Sequence, residues 1–176
     1  MLAIALAGCA GSSAAPERKA AAPNVFASKR YGYRVAVPAG WFTPDRFAED
    51  TKGDWDGVLY PLEPGVDTFA DAGGQPRLSV AARRVPPGTG LQQWAAHIAR
   101  GVPTPCGRPE TRAGALVGAE HAVVQSYHCT DGCYVITATV LHKGRGFALG
   151  WASPEGSEKK DRAAFERVLG SLTFAD

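Results

Sequence analysis

The chain has 176 residues, 45% of them hydrophobic and 20% charged, with a formal net charge of +2 at pH 7. That balance is too apolar for a disordered chain and too weakly basic for a nucleic-acid-binding face, and the longest apolar run is far short of the roughly 18–20 residues that a membrane-spanning helix needs. The 21 Gly and 13 Pro predict many turns and short elements, and the length suits one domain acting as a monomer.

The first ten residues read MLAIALAGCA, an apolar run ending in two small residues and a cysteine. Leu6-Ala7-Gly8-Cys9 resembles the bacterial lipobox, in which the cysteine thiol receives a diacylglyceryl group and cleavage leaves that cysteine first. No Lys or Arg precedes the run, and it is shorter than the roughly 7–15 residues of a complete signal core, so a start upstream of Met1 is expected. A short buried Ala-rich helix is the alternative reading. The Ala, Gly, Ser and Pro that follow, to Pro23, suit a tether better than a core. Residues 1–9 are therefore read as a lipoprotein signal with Cys9 as the lipidation site, 10–23 as a disordered linker, and 24–176 as the domain.

Within the domain, Tyr31, Tyr33, Val35 and Val37 alternate with Gly32, Arg34 and Ala36, the period of a half-buried strand. Pro38-Ala39-Gly40 ends it before Trp41. A second strand is expected from Trp55 to Leu62, a Gly-containing loop from Pro64 to Gln75, and a third strand through Leu78, Val80 and Ala82. Thr89 and Gln92 have capping-box spacing, and Leu91, Trp94, Ala95 and Ile98 then form one apolar helical stripe, stopped by Gly101 and Pro103. Strand patterns follow over Thr111–Val117, His121–Cys129, Cys133–His142 and Phe147–Trp151. Gly118-Ala119, Thr130-Asp131-Gly132 and Lys143-Gly144 are their turns. From about Ser157 the helical period returns, with Phe165, Val168, Leu169 and Leu172 on one face. An antiparallel meander flanked by two amphipathic helices is an α+β layout.

The run from Tyr31 to Trp41 resembles the opening strand and turn of PsbP-like proteins, the Mog1/PsbP fold. Phe165 and the run Val168-Leu169-Gly170-Ser171-Leu172-Thr173-Phe174 resemble that family's last helix and the strand leaving it. The resemblance implies an antiparallel sheet sandwiched between helices (α/β/α). It implies no catalytic residues, because the family spans photosystem extrinsic subunits, a Ran-binding protein and bacterial lipoproteins that share no catalytic set.

Asp54, Asp56, Gly57 and Glu63 match parts of a calcium loop, but Lys52 stands where the first carboxylate belongs and Pro61 and Pro64 forbid the exiting helix. Gly88-Thr89-Gly90 lacks the third glycine and the lysine of phosphate cradles. His128 and Cys129 are strand neighbours that point to opposite faces, so a tetrahedral zinc site is not expected there. No metal and no cofactor is expected. No Gly-x-Ser-x-Gly elbow or His-Glu-x-x-His pair is present, leaving Cys133 with a His as the one nucleophilic pairing to consider.

Charge is unevenly spread: Asp45 to Asp71 holds eight acidic residues against Arg46 and Lys52, net −6. Asp54 and Asp56 are the candidates for an acidic surface that steers a cationic partner or loosely holds divalent ions; solubilisation of a loop is the alternative. With Cys9 lipidated, Cys106, Cys129 and Cys133 remain in an oxidising compartment. If Gly118-Ala119 is a two-residue hairpin loop, paired positions sum to 237, so position 108 faces Cys129 and Cys106 lies two residues beyond it. A Cys129–Cys133 bridge would close a small strained ring. The expectation is a Cys106–Cys129 disulfide with Cys133 free. Together these readings predict a lipid-anchored, non-catalytic binding or assembly module at a bacterial envelope, attached to the membrane through its anchor and facing an envelope protein partner. An exported hydrolase or thiol enzyme, or a carrier of a small apolar ligand between sheet and helix, are the alternatives.

Overall fold

Val35 and Val37 are each 1% exposed while Arg34 is exposed, so the alternation read from the sequence lies on a real sheet face. The computed structural model describes residues 23–43, 66–74, 76–102 and 106–175. Cys9, most of the linker, the strand expected over Trp55–Leu62 and the candidates Asp54 and Asp56 lie outside the described residues.

The first hairpin joins β1 (Asn24–Ser28) to β2 (Tyr33–Val37). β2 starts two residues later than the alternation suggests, because Gly32 takes a positive φ of 69° in the turn and its N–H donates to Ser28 O at 2.9 Å. β1 was not foreseen. Only Phe26 and Ser28 of it are buried, too short a pattern to stand out from a linker. The Pro38-Ala39-Gly40 turn then sets Trp41 against Trp151, with ring centroids 5.1 Å apart.

The segment expected as a loop holds β3 (Asp67–Ala70), which pairs with β4 (Pro76–Arg84). Four residues rich in acid and Gly context read as loop, yet Phe69 and Ala70 are fully buried by the sheet beside them. Helix α1 (Leu91–Ala99) follows. The expected capping box does not form: Gly90 is the N-cap, and Thr89 Oγ1 instead donates to Pro86 O at 2.7 Å. The predicted stripe is nonetheless correct, with Trp94, Ala95 and Ile98 buried.

Four antiparallel strands come next: β5 (Glu110–Val117), β6 (Glu120–His128), β7 (Cys133–His142) and β8 (Arg145–Pro154). Their turns are those read from the sequence, with positive φ at Gly118, Gly132, Lys143 and Gly144. Helix α2 (Glu158–Ser171) and the two-residue β9 (Thr173–Phe174) end the described chain.

The expected antiparallel sheet between helices is present, and a second, smaller sheet accompanies it. A six-stranded sheet runs β3-β4-β8-β7-β6-β5, and a smaller one runs β1-β2-β9. α1 carries the chain from β4 to the far edge strand β5 and covers one face of the large sheet, touching β7 and β6. The main core lies on the other face, where Tyr134, Ile136, Phe147, Leu149 and Trp151 meet Phe165, Val168 and Leu169 of α2 and the small sheet's Tyr33, Val35 and Val37. α2 is tied down at both ends. Arg162 donates to Tyr134 Oη at 2.7 Å, and Ser171 Oγ accepts from Ala36 N–H at 3.0 Å.

Candidate functional site

The site is best built from α1. Three residues on one flank, Trp94, His97 and Arg100, are spaced three apart and so line up along the helix. Trp94 is 3% exposed, and its indole N–H donates to Phe147 O at 2.9 Å, which fixes the ring on the sheet. His97 stacks on that indole, with ring centroids 5.3 Å apart and planes inclined by 17°. Arg100 Nη2 lies 3.4 Å from His97 Nδ1, and a guanidinium can only donate, so Nδ1 accepts and the ring proton sits on Nε2. Arg83 of β4 completes the group. Odd-numbered residues of that strand face α1, which puts Arg83 beside the same cavity.

The cavity has a volume of about 230 Å³, with Val85, Pro86, Thr89 and Gln93 as its remaining walls. Burial first, then the charges of Arg83 and Arg100, hold the His97 imidazole below its ordinary pKa. The arrangement offers two permanent cations and a neutral imidazole around an aromatic floor. It can hold an anionic group; the one hydroxyl in its wall, Thr89 Oγ1, donates to Pro86 O. By sequence alone His97 is one more histidine on a helix flank. The Trp94–His97–Arg100 spacing was a usable signal, but Arg83 joins them only through the β4 register.

The sequence-predicted residues fall elsewhere. Cys106 and Cys129 form the expected disulfide. The route to it differs, because the 237 register holds only from Val117–Glu120 to Ala115–Ala122. A shift between Arg112 and Ala115, where Gly114 has φ 80°, lowers the paired sum by one, and a further one-residue offset ahead of β5 sets Cys106 directly opposite Cys129 as an isolated bridge. With 23 residues of separation, the bridge contributes about 3 kcal/mol on the loop-entropy model.

Cys133 is the free thiol and packs against the same small cluster as Tyr127 and Cys129. Burial, and then the charge and hydrogen bond of Asp131, push its thiol above the ordinary range, the reverse of what a nucleophilic thiolate requires. Alkylation of the oxidised protein is therefore expected to label Cys133 and neither Cys106 nor Cys129, slowly at pH 8, and faster by a factor of a few in Asp131→Asn. A peptide map with Cys106 labelled would break this assignment.

Of the acidic stretch, two carboxylates are taken out of any partner-facing surface. Asp67 is 7% exposed and accepts from Tyr33 Oη at 2.8 Å. Burial first, and then this neighbouring carboxylate, drive the Tyr33 phenol far above its usual range. Asp71 pairs with Arg77 at 2.8 Å. Two of the other three histidines are engaged locally, His142 with Glu120 at 2.8 Å and stacked on Phe174, and His128 beside Tyr134, while His121 is exposed.

A group missed from sequence is His128, Glu155 and Glu158, whose ligand atoms lie within 4.8 Å of one another and could hold a divalent ion. The acids come from the β8–α2 turn, which the fold alone brings beside the end of β6. Glu158 already accepts the Gly156 N–H at 2.8 Å, which accounts for its position. Among the described residues no helix is long and apolar enough to cross a membrane.

No protein-family model matches the chain, and no curated protein matches it in sequence. Solved structures do match. The chain is similar to the solution structure of cyanobacterial PsbP (CyanoP) from Synechocystis sp. PCC 6803, with TM-score 0.59 and 18% identity over 95% of this chain and 98% of that one. It is also similar to a 1.50 Å crystal structure from Bacteroides thetaiotaomicron VPI-5482, with TM-score 0.50 and 10% identity over 82% of this chain and 46% of that one. The fold is PsbP-like and α+β, as the resemblance at its two ends implies.

Proposed function

We propose that this chain is a non-catalytic binding or assembly module, held at the outer side of a bacterial membrane by a lipid on Cys9. The observation that carries the binding half is the α1 cavity, where Arg83 and Arg100 stand around Trp94 and His97 and make no ion pair among the described residues. Cations left unpaired beside an aromatic floor suit recognition of a negative group. The PsbP-like fold, shared with cyanobacterial PsbP, supports this half. The anchor half rests on Leu6-Ala7-Gly8-Cys9 and the linker composition after it. An acidic partner surface at Asp54 and Asp56 belongs to the same reading, motivated by the net −6 between Asp45 and Asp71.

The test is expression in a bacterium with a complete export signal supplied ahead of Leu2, followed by membrane fractionation and lipid labelling. The parent should partition with membranes and take up labelled acyl chain, and Cys9→Ser should lose both. In the same membranes, charge reversal at Asp54 and Asp56 should reduce cross-linking to an envelope protein and flatten its salt dependence. A Cys9→Ser protein that fractionates like the parent would remove the anchor from the proposal; cross-linking indifferent to the reversal would leave those carboxylates as solubilising groups.

A further inference from the structure

Five cationic side chains gather at one end of the six-stranded sheet. Arg83 and Arg84 end β4, Lys143 and Arg145 belong to the β7–β8 turn, and Arg100 follows α1. Val85 N–H donates to Gly144 O at 3.1 Å and so holds the end of β4 against that turn. Arg84 directly faces Arg145 across the β4–β8 ladder, a like-charge pairing that costs stability unless negative charge sits nearby. None of the five makes an ion pair with another described residue. Arg84 and Arg145 lie on the sheet face turned away from α1, so of the five only Arg83 and Arg100 line the α1 cavity.

We infer that the cavity over Trp94 is a binding site for a small organic oxyanion, a carboxylate or phosphate carried on an aromatic or other apolar body. Arg83 and Arg100 hold the oxygens; the wall of Trp94, Val85 and Pro86 takes the apolar part. Guanidinium groups suit this task because their fixed fork matches two oxygens at once. His97 supplies a further donor through Nε2, since its Nδ1 is turned to Arg100. Walls that combine apolar surface with a few convergent polar groups are what ligand pockets share. About 230 Å³ sets the scale at a ring and its charged substituent. The same two arginines depress the His97 pKa after burial does, which places all three groups around one spot.

This inference gives the binding reading a ligand class and rests on its non-catalytic half, so the experiment separates the two. The full chain, isotope-labelled, is titrated with phenyl phosphate, with benzoate, and with benzyl alcohol as the uncharged control, following the Trp94 indole and His97 ring resonances. Both anions should give saturable shifts at these two residues, with benzyl alcohol weaker by about tenfold or more. Arg83→Gln and Arg100→Gln should each weaken the anions about tenfold, the effect of losing a charged hydrogen bond. Arg108→Gln, beside the disulfide, should change nothing. Both arginines are outside the core, so the variants' amide spectra should stay native and the loss is attributable to the site. Displacement of phenyl phosphate by phosphatidylglycerol vesicles and not by phosphatidylcholine vesicles would identify the oxyanion as a lipid head group, and its absence a soluble ligand. Unsaturable shifts, equal binding of benzyl alcohol, or unchanged affinity in both glutamine variants would overturn the site. Release of phenol, abolished by Arg83→Gln, would instead overturn the non-catalytic reading and keep the site.

Discussion

Gly146→Val is expected to cost about 3 kcal/mol or more of folding stability, beyond ordinary overpacking, because the clash is with a ring that cannot move. A Cβ at position 146 would lie 2.5 Å from Trp94 Cε2, 2.7 Å from Cδ2 and 2.9 Å from Cζ2. The indole is held in place by its hydrogen bond to Phe147 O and by burial to 3% exposure. Relief therefore requires α1 to lift, which also uncovers Ile98 and Ala148 beneath it. For a domain of this size each kcal/mol lowers the melting temperature by about 2–4 °C, so a fall of roughly 6–12 °C is expected. Thermal unfolding of Gly146→Val, Trp94→Leu and the double variant tests the cause. The double variant should lose less than the two singles added, since removing the ring makes room for the valine. A Gly146→Val protein within about 1 kcal/mol of the parent would mean that the indole does not rest on this glycine.

Phe165→Ala should be comparably damaging, at about 3–5 kcal/mol. Phe165 is fully buried and meets Trp151 edge-on, with ring centroids 5.8 Å apart. Trp151 in turn supports Trp41, so the cavity would open where α2, the large sheet and the chain after β2 converge. The next residue, Glu166, pairs with Arg112 at 2.8 Å, with side chains 43% and 51% exposed. Glu166→Ala should cost less than about 1 kcal/mol, as exposed ion pairs do. Urea unfolding of both variants decides the matter. Equal losses at the two positions would contradict the α2 face described above.

Structural choices that depend on neighbours a few residues away are mostly legible in the sequence, the cap of α1 being an exception because Gly90 and not Thr89 occupies it. The Lys143-Gly144, Gly118-Ala119 and Thr130-Asp131-Gly132 turns set the hairpins, because only residues tolerant of positive φ fit there. The stripes of α1 and α2 followed from spacing. The disulfide was reachable by counting along a ladder, even though Gly114 shifts that ladder and alters the residue count. Gly inside a strand pattern is the one local sign of such a bulge, and here it was passed over.

The rest was decided by partners distant in the chain. β1 and β3 carry too little pattern to be seen alone; they become strands because β2 and β4 offer free edges. β9 is two residues long and exists only by pairing with β2, where it adds a third strand to the smaller sheet. Asp67 reads as one more surface acid until Tyr33 is found against it. Arg83 reads as a strand-end charge, and only the β4–β8 register, with Gly146 leaving room for Trp94, carries it to His97 and Arg100. Periodicity and turn chemistry are properties of a contiguous segment, so one sequence suffices to determine them. Convergence of side chains is a property of how segments pack, and packing is settled by the whole set of competing contacts at once.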